Sequence, residues 1–336
     1  MSRVPVCIAG TGLCAPARVV TSELLERSLA LESGWIARRT GILERRIALP
    51  DTAVSDLAVS AGEVAMQAAG IERSAVSLLV LATSTPDHPL PPTAPSVAAR
   101  LGLRAPAFDL GAACSGFLYG YAVAERWLAG RGPGMHAQGE AVLVIGANVL
   151  SHRVNWADRD TAPLFGDGAG AVVLRLAPGS SGGVLGMDLA SDGELWREIH
   201  VPAGGSRRPV TAEAVRTSET LMVMEDGRRL FRHALRALVA SAKRVLASTG
   251  VTPSEIRWFV PHQAGSRLIH DAATAIGIPR ERVIATFERY GNTSAASIPM
   301  TLHEAVTAGQ IRRDDLILLA AVGAGMTAAS VLLRWN

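Results

Sequence analysis

Three short segments carry side chains suited to chemistry. Cys114 lies in FDLGAACSGFLYGY, among small residues where a predicted strand hands over to a helix, whereas His262 lies in PHQAGSR and Asn292 in YGNTSAAS. Unpaired N–H groups and the helix dipole favour a thiolate at a helix start. This position predicts a lowered pKa and a nucleophilic role for Cys114, against the alternative that it packs as a small hydrophobe.

The other two side chains predict hydrogen-bond donors for that nucleophile's reaction. An imidazole Nε2–H and a carboxamide can both donate to one developing oxyanion. His262 lies at the end of a predicted strand, and Asn292 lies in a turn that opens a predicted helix, as Cys114 does. Strand ends of open α/β sheets hold ligands. The trio therefore predicts one active site, against the alternative of a core histidine and a turn asparagine.

The elements that must position these residues follow an alternating pattern. Apolar runs alternate with amphipathic segments, which predicts an α/β fold. The predicted strands cover residues 76–84, 141–150, 170–176, 256–262, 315–323 and 329–335. The clearest helix, GRRLFRHALRALVASAKRVLASTG, keeps one face apolar from Leu230 to Val245 and ends at Gly250.

The two halves of the chain repeat the same order of elements. In each, a strand is followed by a turn of small residues that opens a helix, and two further strands follow. Phe108-Asp109 precedes the cysteine turn, and Phe287-Glu288 precedes the asparagine turn. This internal repeat predicts a pseudo-twofold fold in which the two helix starts face each other.

The repeat also predicts the domain organisation. One half covers residues 1–176 and contains the nucleophile, and the other covers residues 177–336 and contains the histidine and asparagine. Segment 177–226 is rich in Gly, Ser and Pro, and we predict a joint with covering loops.

Composition excludes several classes of protein. The hydrophobic fraction of 49% suits a large core, but no apolar run reaches the length of a membrane span. Aromatic residues make up 4%, and no basic stripe with interleaved aromatics occurs, so we expect no nucleic acid partner. Arginine pairs such as Arg45/Arg46 suit phosphorylated or acidic partners, although most of the pairs are expected at the solvated surface. The N-terminal segment resembles a strand and turn more than a signal peptide, so we expect a cytoplasmic protein. Three cysteines without metal or disulfide spacing predict neither a zinc site nor a disulfide scaffold.

These motifs, together with FGDGAGAVVL and GWIARRTGILERR, resemble the ketoacyl-acyl-carrier-protein synthase III family of condensing enzymes. The resemblance runs from about residue 5 to residue 335. It implies the thiolase-like duplicated αβαβα five-layer fold, in agreement with the internal repeat. The family acts without a metal or redox cofactor, and it implies a homodimer in which the 84–96 loop crosses into the neighbour's site.

The resemblance implies a two-stage reaction. Cys114 attacks an acyl-CoA thioester and is acylated, releasing CoA. A malonyl group on acyl carrier protein then loses carbon dioxide, and His262 and Asn292 stabilise the resulting enolate. Its carbon attacks the acyl-cysteine to give a 3-oxoacyl product. The oxyanion of this step is expected against backbone N–H groups of Cys114 and Gly325.

The same resemblance implies a binding path for CoA. Trp35 is expected to stack on the adenine, with Arg39 near the phosphates. The pantetheine tunnel is expected to be lined by Gly227, Phe231, Ala264 and Gly265. Arg267 is expected to meet the acidic carrier protein.

The chain departs from the family pattern at several positions. Gly265 stands where the family commonly has asparagine, so one pantetheine hydrogen bond is missing or comes from Ser266. Near position 152 the family often has an arginine facing the adenine, and either His152 or Arg153 could take that role here. At the pocket floor contributed by the dimer neighbour, Leu90 stands where some family members carry phenylalanine, which predicts a deeper acyl pocket.

Two segments, LATSTPDHPLPPTAPSVAARLGL and ANVLSHRVN, resemble synthases that make a pimelate precursor for biotin. Those enzymes convert glutaryl-CoA and malonyl-carrier protein to 5-oxopimeloyl-carrier protein. A buried distal carboxylate needs a cation and hydroxyl groups, for which Arg153, Ser84 and Ser294 are candidates. A short straight or branched acyl-CoA, for fatty acid or polyketide initiation, stays open as the alternative.

Related activities are distinguished by the residues near the site. A thiolase needs a second cysteine near the C-terminal Gly-rich loop, but VGAGMTA has none. Elongating synthases use two histidines, whereas Asn292 takes the second place here. An acyltransferase relative that forms no carbon–carbon bond could keep the same nucleophile, and that alternative also stays open.

Overall fold

The computed structural model describes residues 4–130 and 140–336. The strands are β1 (Val6–Cys14), β2 (Val19–Thr21), β3 (Glu44–Arg46), β4 (Val76–Ala82), β5 (Ala107–Leu110), β6 (Ala141–Asn148), β7 (Gly168–Leu176), β8 (Gly183–Ser191), β9 (Ile199–His200), β10 (Val223–Met224), β11 (Trp258–Pro261), β12 (Leu316–Gly323) and β13 (Thr327–Arg334). The α-helices are α1 (Ser22–Ser28), α2 (Trp35–Thr40), α3 (Val54–Ala69), α4 (Ala94–Arg100), α5 (Gly116–Ala129), α6 (Ala212–Arg216), α7 (Gly227–Thr249), α8 (Ser266–Ile276), α9 (Phe287–Tyr290) and α10 (Ser297–Thr307).

Two main sheets repeat one topology. The first has the order β1-β7-β6-β4-β5, and the second β8-β13-β12-β11. In the first, β4 runs parallel to β6, and β7 is antiparallel to β6 and β1. In the second, β11 runs parallel to β12, and β13 is antiparallel to β12 and β8. Four strands of the first sheet, β1, β7, β6 and β4, therefore correspond to β8, β13, β12 and β11 of the second, and the predicted duplication is confirmed.

Helices and sheets alternate in five layers, with clusters of buried side chains between them. The central cluster joins Leu118 of α5 and Leu302 of α10 to the inner faces of both sheets. A second cluster packs α3 and α4 on the outer face of the first sheet, and a third packs α7 and α8 on the outer face of the second. Consecutive residues of β4 point to opposite cores: Leu79 packs in the outer cluster of the first sheet and Val80 in the central cluster. The predicted αβαβα architecture is confirmed.

Helix α7 has the boundaries that the sequence predicts. Asp226 accepts hydrogen bonds from the N–H groups of Arg228 and Arg229, which caps the first turn. Gly250 ends the helix in the left-handed conformation, with φ +70°. Across residues 4–130 and 140–336, no helix is long and apolar enough to cross a bilayer.

The prediction of loops across 177–226 is wrong for part of that segment. Strand β8 pairs with β13 from Gly183 to Ser191 and forms an edge of the second sheet. Strands β9 and β10 and helix α6 also lie in the segment. An edge strand buries little of its surface, and the exposed Leu185 and Leu189 interrupt the inward alternation by which a strand is recognised.

The match between the two phenylalanine–acid pairs is also wrong. Phe108 lies in β5, whereas Phe287 begins α9 and is buried. The counterpart of β5 is a single parallel bridge between Phe259 and Val283. Similar dipeptides thus occupy different elements, because the repeat is conserved in its sheets and turns rather than at these residues.

Candidate active site

Cys114 lies in a tight 3₁₀ turn, Ala113–Ser115, directly before α5. Ala113 takes a positive φ of 46°, and the N–H of Ser115 donates to the Ala112 carbonyl at 3.1 Å. The hydroxyl of Thr327 in β13 also donates to that carbonyl, at 3.0 Å. The second sheet therefore fixes the turn that presents the thiol.

The asparagine segment contains the equivalent turn, Ser294–Ala296, directly before α10. Ser294 takes a positive φ of 55°, and the N–H of Ala296 donates to the Thr293 carbonyl at 3.2 Å. The two turns thus share one backbone design. Within it, Ala295 is the counterpart of the cysteine, and Asn292 lies three residues earlier.

Each turn packs against the sheet of the opposite half. A Cβ atom on Gly323 of β12 would lie 2.7 Å from the Cys114 nitrogen, and one on Gly146 of β6 would lie 2.2 Å from the Ala295 carbonyl oxygen. Only glycine permits these backbone approaches. The crossed packing brings the turns together, so that the Ser294 hydroxyl donates to Cys114 Sγ at 3.3 Å.

The predicted lowering of the Cys114 pKa is contradicted. Desolvation by burial raises the pKa of this thiol to about 11, although the hydrogen bonds from Ser294 and from the backbone act in the opposite direction. Removing sulfur from water therefore outweighs the favourable N-terminal position. The resting Cys114 side chain is therefore a neutral thiol.

His262 follows β11 and is 2% exposed. Burial lowers the pKa of its imidazole to about 4, so the ring is neutral at physiological pH. Its Nδ1 pairs with the hydroxyl of Ser297 at 2.8 Å. A neutral, buried ring of this kind suits hydrogen bonding better than proton abstraction.

Both the backbone and the side chain of Asn292 are fixed by hydrogen bonds. Its N–H donates to the Leu164 carbonyl at 2.8 Å, and its carbonyl accepts from the Gly166 N–H at 3.0 Å. Its Oδ1 accepts the N–H of Ser294 at 2.8 Å. Because that partner is a donor, the amide orientation is fixed, and the Nδ2 hydrogens are left for a ligand.

Arg45 supports the segment that holds Asn292. It is fully buried, an exception to the surface position predicted for most of the arginine pairs, and it donates to the Pro163 carbonyl at 2.9 Å. Desolvation lowers its pKa to about 10, so it stays protonated at neutral pH. No sequence signal separated Arg45 from the other arginines, because its burial depends on β3 packing against residues distant in the chain.

One cavity of about 1050 Å³ brings together most of the predicted site residues. The three predicted catalytic side chains, Cys114, His262 and Asn292, line it. So do other predicted contacts: Trp35, Arg39, Ser84, Arg153, Gly227, Phe231, Ala264, Gly265, Arg267 and Ser294. The sequence-based set is therefore largely one continuous surface.

Four positions named from the sequence lie elsewhere. His152 lines a separate cavity of about 410 Å³, which Arg153 also borders. Leu90 is 83% exposed, and Ser266 does not line the large cavity. Gly325 lies in the β12–β13 turn, where its neighbours, rather than the glycine itself, line the cavity.

A cluster of arginines surrounds Trp35 at one end of the cavity. The guanidinium carbon of Arg39 lies 5.0 Å from the Trp35 ring centroid, and that of Arg159 lies 5.4 Å from it. Arg159 was missed from the sequence, where the resemblance directed attention to position 152. Arg153 is exposed and donates to the Thr220 carbonyl at 3.5 Å, away from the indole.

Gly265, where an asparagine is expected from the sequence, has a backbone conformation that disfavours a side chain. It has φ +125°, and a Cβ atom would lie 3.2 Å from the Thr40 carbonyl oxygen. This conformation is strained for any L side chain. Two residues on, the guanidinium of Arg267 covers the Phe231 ring at 4.8 Å and faces Asp271 at 3.6 Å.

The two-sheet fold and the shared Cys–His–Asn cavity define a thiolase-fold enzyme, and comparisons with known proteins narrow the class. The family model for 3-oxoacyl-[acyl-carrier-protein] synthase III matches residues 108–193, and the model for its C-terminal part matches residues 246–335. The chain belongs to the 3-oxoacyl-[acyl-carrier-protein] synthase III family.

Individual relatives cover nearly the whole chain. A 3-oxopimeloyl-[acyl-carrier-protein] synthase from Rhodothermus marinus is 49% identical over 98% of this chain and 93% of its own length. Another from Brucella abortus is 45% identical over 97% of this chain and 98% of its own. The crystal structure of 3-oxoacyl-[acyl-carrier-protein] synthase III from Aquifex aeolicus superposes with a TM-score of 0.88 at 39% identity, covering 98% and 100% of the two chains.

Proposed function

We propose that this protein condenses an acyl-CoA with malonyl-acyl carrier protein, giving a 3-oxoacyl-carrier protein, CoA and carbon dioxide. The observation that carries the proposal is the shared cavity lined by Cys114, His262 and Asn292. No atom changes oxidation state in a way that needs an external oxidant or reductant. The proposal therefore includes no redox cofactor or metal.

In the first stage, Cys114 Sγ attacks the thioester carbon of the acyl-CoA, and the carbon–sulfur bond to CoA breaks. Because the resting thiol is neutral, its proton leaves with the CoA thiolate, and no net proton is consumed. The Ser294 hydroxyl, which donates to Sγ, supports negative charge as it develops on sulfur. The absent side chain of Gly323 leaves space beside the Cys114 N–H, which supports an oxyanion role for that N–H. The matching role of the Gly325 N–H stays a prediction, since that glycine does not line the cavity.

In the second stage, the malonyl carboxylate leaves as carbon dioxide, and its electron pair becomes an enolate of the carrier thioester. The imidazole of His262 and the amide of Asn292 donate hydrogen bonds to the enolate oxygen. The enolate carbon then forms a bond to the acyl carbon, and the bond to Sγ breaks. The cysteine sulfur finally takes one proton from solvent.

The same cavity supports paths for both substrates. Trp35, Arg39 and Arg159 form a site for the adenine and phosphates of CoA, since guanidinium groups pair with phosphates and stack on aromatic rings. We propose Arg159 here rather than His152. Arg267, exposed beside Phe231 at the tunnel wall, suits an acidic carrier protein.

We further propose glutaryl-CoA as the primer. The names of the relatives at 49% and 45% identity support this choice. Arg153 and Ser84 line the cavity that contains the thiol, and they offer a cation and a hydroxyl to a distal carboxylate. The product has its ketone at carbon 3 counted from the thioester, which is carbon 5 counted from the distal carboxylate.

A panel of acyl-CoAs tests both levels of the proposal. Purified protein is incubated with glutaryl-, acetyl-, butyryl- or isobutyryl-CoA, and the intact mass reports acylation. We expect glutaryl-CoA to give the fastest acylation and Arg153→Ala to reduce that rate more than the butyryl rate. A large preference for acetyl-CoA would reject the glutaryl primer and leave condensation intact. Product mass after adding malonyl-carrier protein distinguishes condensation from simple acyl transfer.

We also propose a cytoplasmic homodimer. Three free cysteines suit a reducing compartment. Leu90 is 83% exposed, as expected for a side chain that enters the neighbour's acyl pocket. If it does, Leu90→Phe should shorten the pocket and lower the ratio of glutaryl to acetyl transfer. Light scattering that gives a monomer mass of about 35.2 kDa would reject the dimer.

A further inference from the structure

A buried polar network contacts the imidazole of His262 at its Nδ1 atom. Gln263 follows His262 in the chain, and both ends of its amide are hydrogen-bonded. Its Oε1 accepts from the Thr286 N–H at 2.8 Å, and its Nε2 donates to the Pro261 carbonyl at 2.7 Å. The backbone N–H of Gln263 points to the Ser297 hydroxyl oxygen at 3.4 Å. Ser297 is 2% exposed at the first position of α10. The network therefore connects the end of β11 to the helix that follows Asn292.

The partners of the Ser297 hydroxyl determine its direction. An N–H group only donates, so toward Gln263 the serine oxygen acts as an acceptor. In the described part of the chain, the one acceptor within reach of the serine hydrogen is Nδ1 of His262, at 2.8 Å. If Nδ1 carried the proton instead, a buried hydroxyl hydrogen would have no partner, which is unfavourable.

We propose that Ser297 is a positioning residue that donates to Nδ1 of His262 and thereby holds the ring as the Nε2–H tautomer. A neutral imidazole has one N–H group, and which nitrogen carries it is set by the hydrogen bond at the other. With Nδ1 occupied as an acceptor, Nε2 presents its hydrogen to the enolate oxygen. The catalytic consequence rests on the proposed condensation, whereas the hydrogen bond and the tautomer do not depend on it.

Asn292 is oriented by the same means. The Ser294 N–H fixes its Oδ1 and leaves Nδ2 as the donor, just as the Ser297 hydroxyl fixes Nδ1 and leaves Nε2. Both donors to the enolate are therefore set by one segment, residues 294–297. Neither the cysteine nor acylation depends on the Ser297 contact, so the two stages of the reaction should respond differently to its loss.

Kinetic measurements separate this role from a structural one. Ser297→Ala should slow decarboxylation of malonyl-carrier protein about 10- to 100-fold, the range found when the partner that orients a metal-ligating imidazole is lost, and leave acylation of Cys114 unchanged. Ser297→Thr retains the hydroxyl and should recover most of the lost rate. Ser330→Ala is the matched control, because Ser330 is also fully buried but its hydroxyl has no hydrogen-bond partner. Equal losses in both stages would indicate a structural role and overturn the proposal.

The tautomer of His262 can be measured by NMR without an enzymatic assay. In protein labelled with ¹⁵N-histidine, long-range ¹H–¹⁵N correlation distinguishes the protonated from the unprotonated ring nitrogen, and His262→Ala identifies the signal. We expect Nε2 protonated and Nδ1 unprotonated in the wild type. Protonation at Nδ1 would overturn the proposal even in an active enzyme. Absence of malonyl decarboxylation in the wild type would reject the proposed condensation, while the expected spectrum would still establish the tautomer.

Discussion

The cysteine turn and the asparagine turn share a backbone and differ in what they present. Both begin with a non-glycine residue at positive φ, Ala113 and Ser294, and both open a helix of the central layer. After the first turn comes Gly116, which leaves space, whereas the second is followed by Ser297, which hydrogen-bonds His262. One turn exposes the proposed nucleophile, Cys114, to the cavity. The other is filled with polar groups that orient one another.

This difference teaches how a duplicated fold can divide a reaction. Two copies of one strand–turn–helix unit place two helix starts at the same cavity. Since each turn is held by the opposite sheet, through Gly323 or Gly146, their relative position is rigid while their side chains are independent. In the proposed reaction, covalent chemistry thus belongs to one copy and enolate stabilisation to the other.

Cys114→Ala should give the largest effect in a test of whether the two turns serve separate stages of the reaction. We expect acylation by any acyl-CoA to fall by at least about a thousandfold, because the nucleophile is removed. Malonyl-carrier protein should still lose carbon dioxide, since the other turn is intact. Intact mass and carbon dioxide release measure the two stages. An acyl adduct that persists in the variant would show that another residue is the nucleophile.

The reciprocal change is Asn292→Ala. Loss of one preorganised donor to an oxyanion costs about 100- to 1000-fold, so decarboxylation and overall condensation should fall by that factor. Acylation of Cys114 should stay within about twofold of wild type, because no acyl-transfer step uses the amide. A comparable fall in acylation would show that the turns are not independent.

The crossed packing can be tested at its two glycines. Gly323→Ala and Gly146→Ala each force a Cβ into the backbone of a turn, and overpacking of this kind costs about 1–3 kcal/mol. We expect Gly323→Ala to impair acylation and Gly146→Ala to impair decarboxylation, with urea unfolding reporting stability. Gly111→Ala is the control, because its added Cβ meets no atom within 4 Å. Identical effects of the two variants on both stages would contradict the crossed arrangement.

The smallest expected effect concerns pH. With its pKa lowered to about 4, His262 stays neutral, so decarboxylation in Cys114→Ala should be flat from about pH 6 to pH 8. Stability should fall as pH drops from about 6.5 to 4, since there the unfolded chain binds a proton that the folded site excludes. It should also fall above about pH 9, where the unfolded chain loses the proton that Cys114 keeps. A rate inflection near pH 6.5 that His262→Ala removes would contradict the buried, neutral ring.

Particular elements show how far the sequence could predict the structure. The buried strands β4, β6, β12 and β13 and helix α7 were predicted because their apolar periodicity is strong. Strand β8 was missed because an edge strand buries too little of its surface to show that periodicity. The Cys114 pKa was predicted in the wrong direction, because desolvation depends on neighbours that arrive from the other half.

The sequence alone determined the kinds of chemical group and their local setting: a cysteine, a histidine and an asparagine beside small residues at strand and helix ends, in a chain that repeats itself. Local composition is sufficient for this, because turns and helix starts form from neighbouring residues. Tertiary structure alone decided that Arg45 is buried behind Asn292, that Arg159 rather than His152 lies beside Trp35, and that Ser297 contacts His262. Those contacts join residues far apart in the chain, and their geometry exists only once the two sheets enclose the central helices.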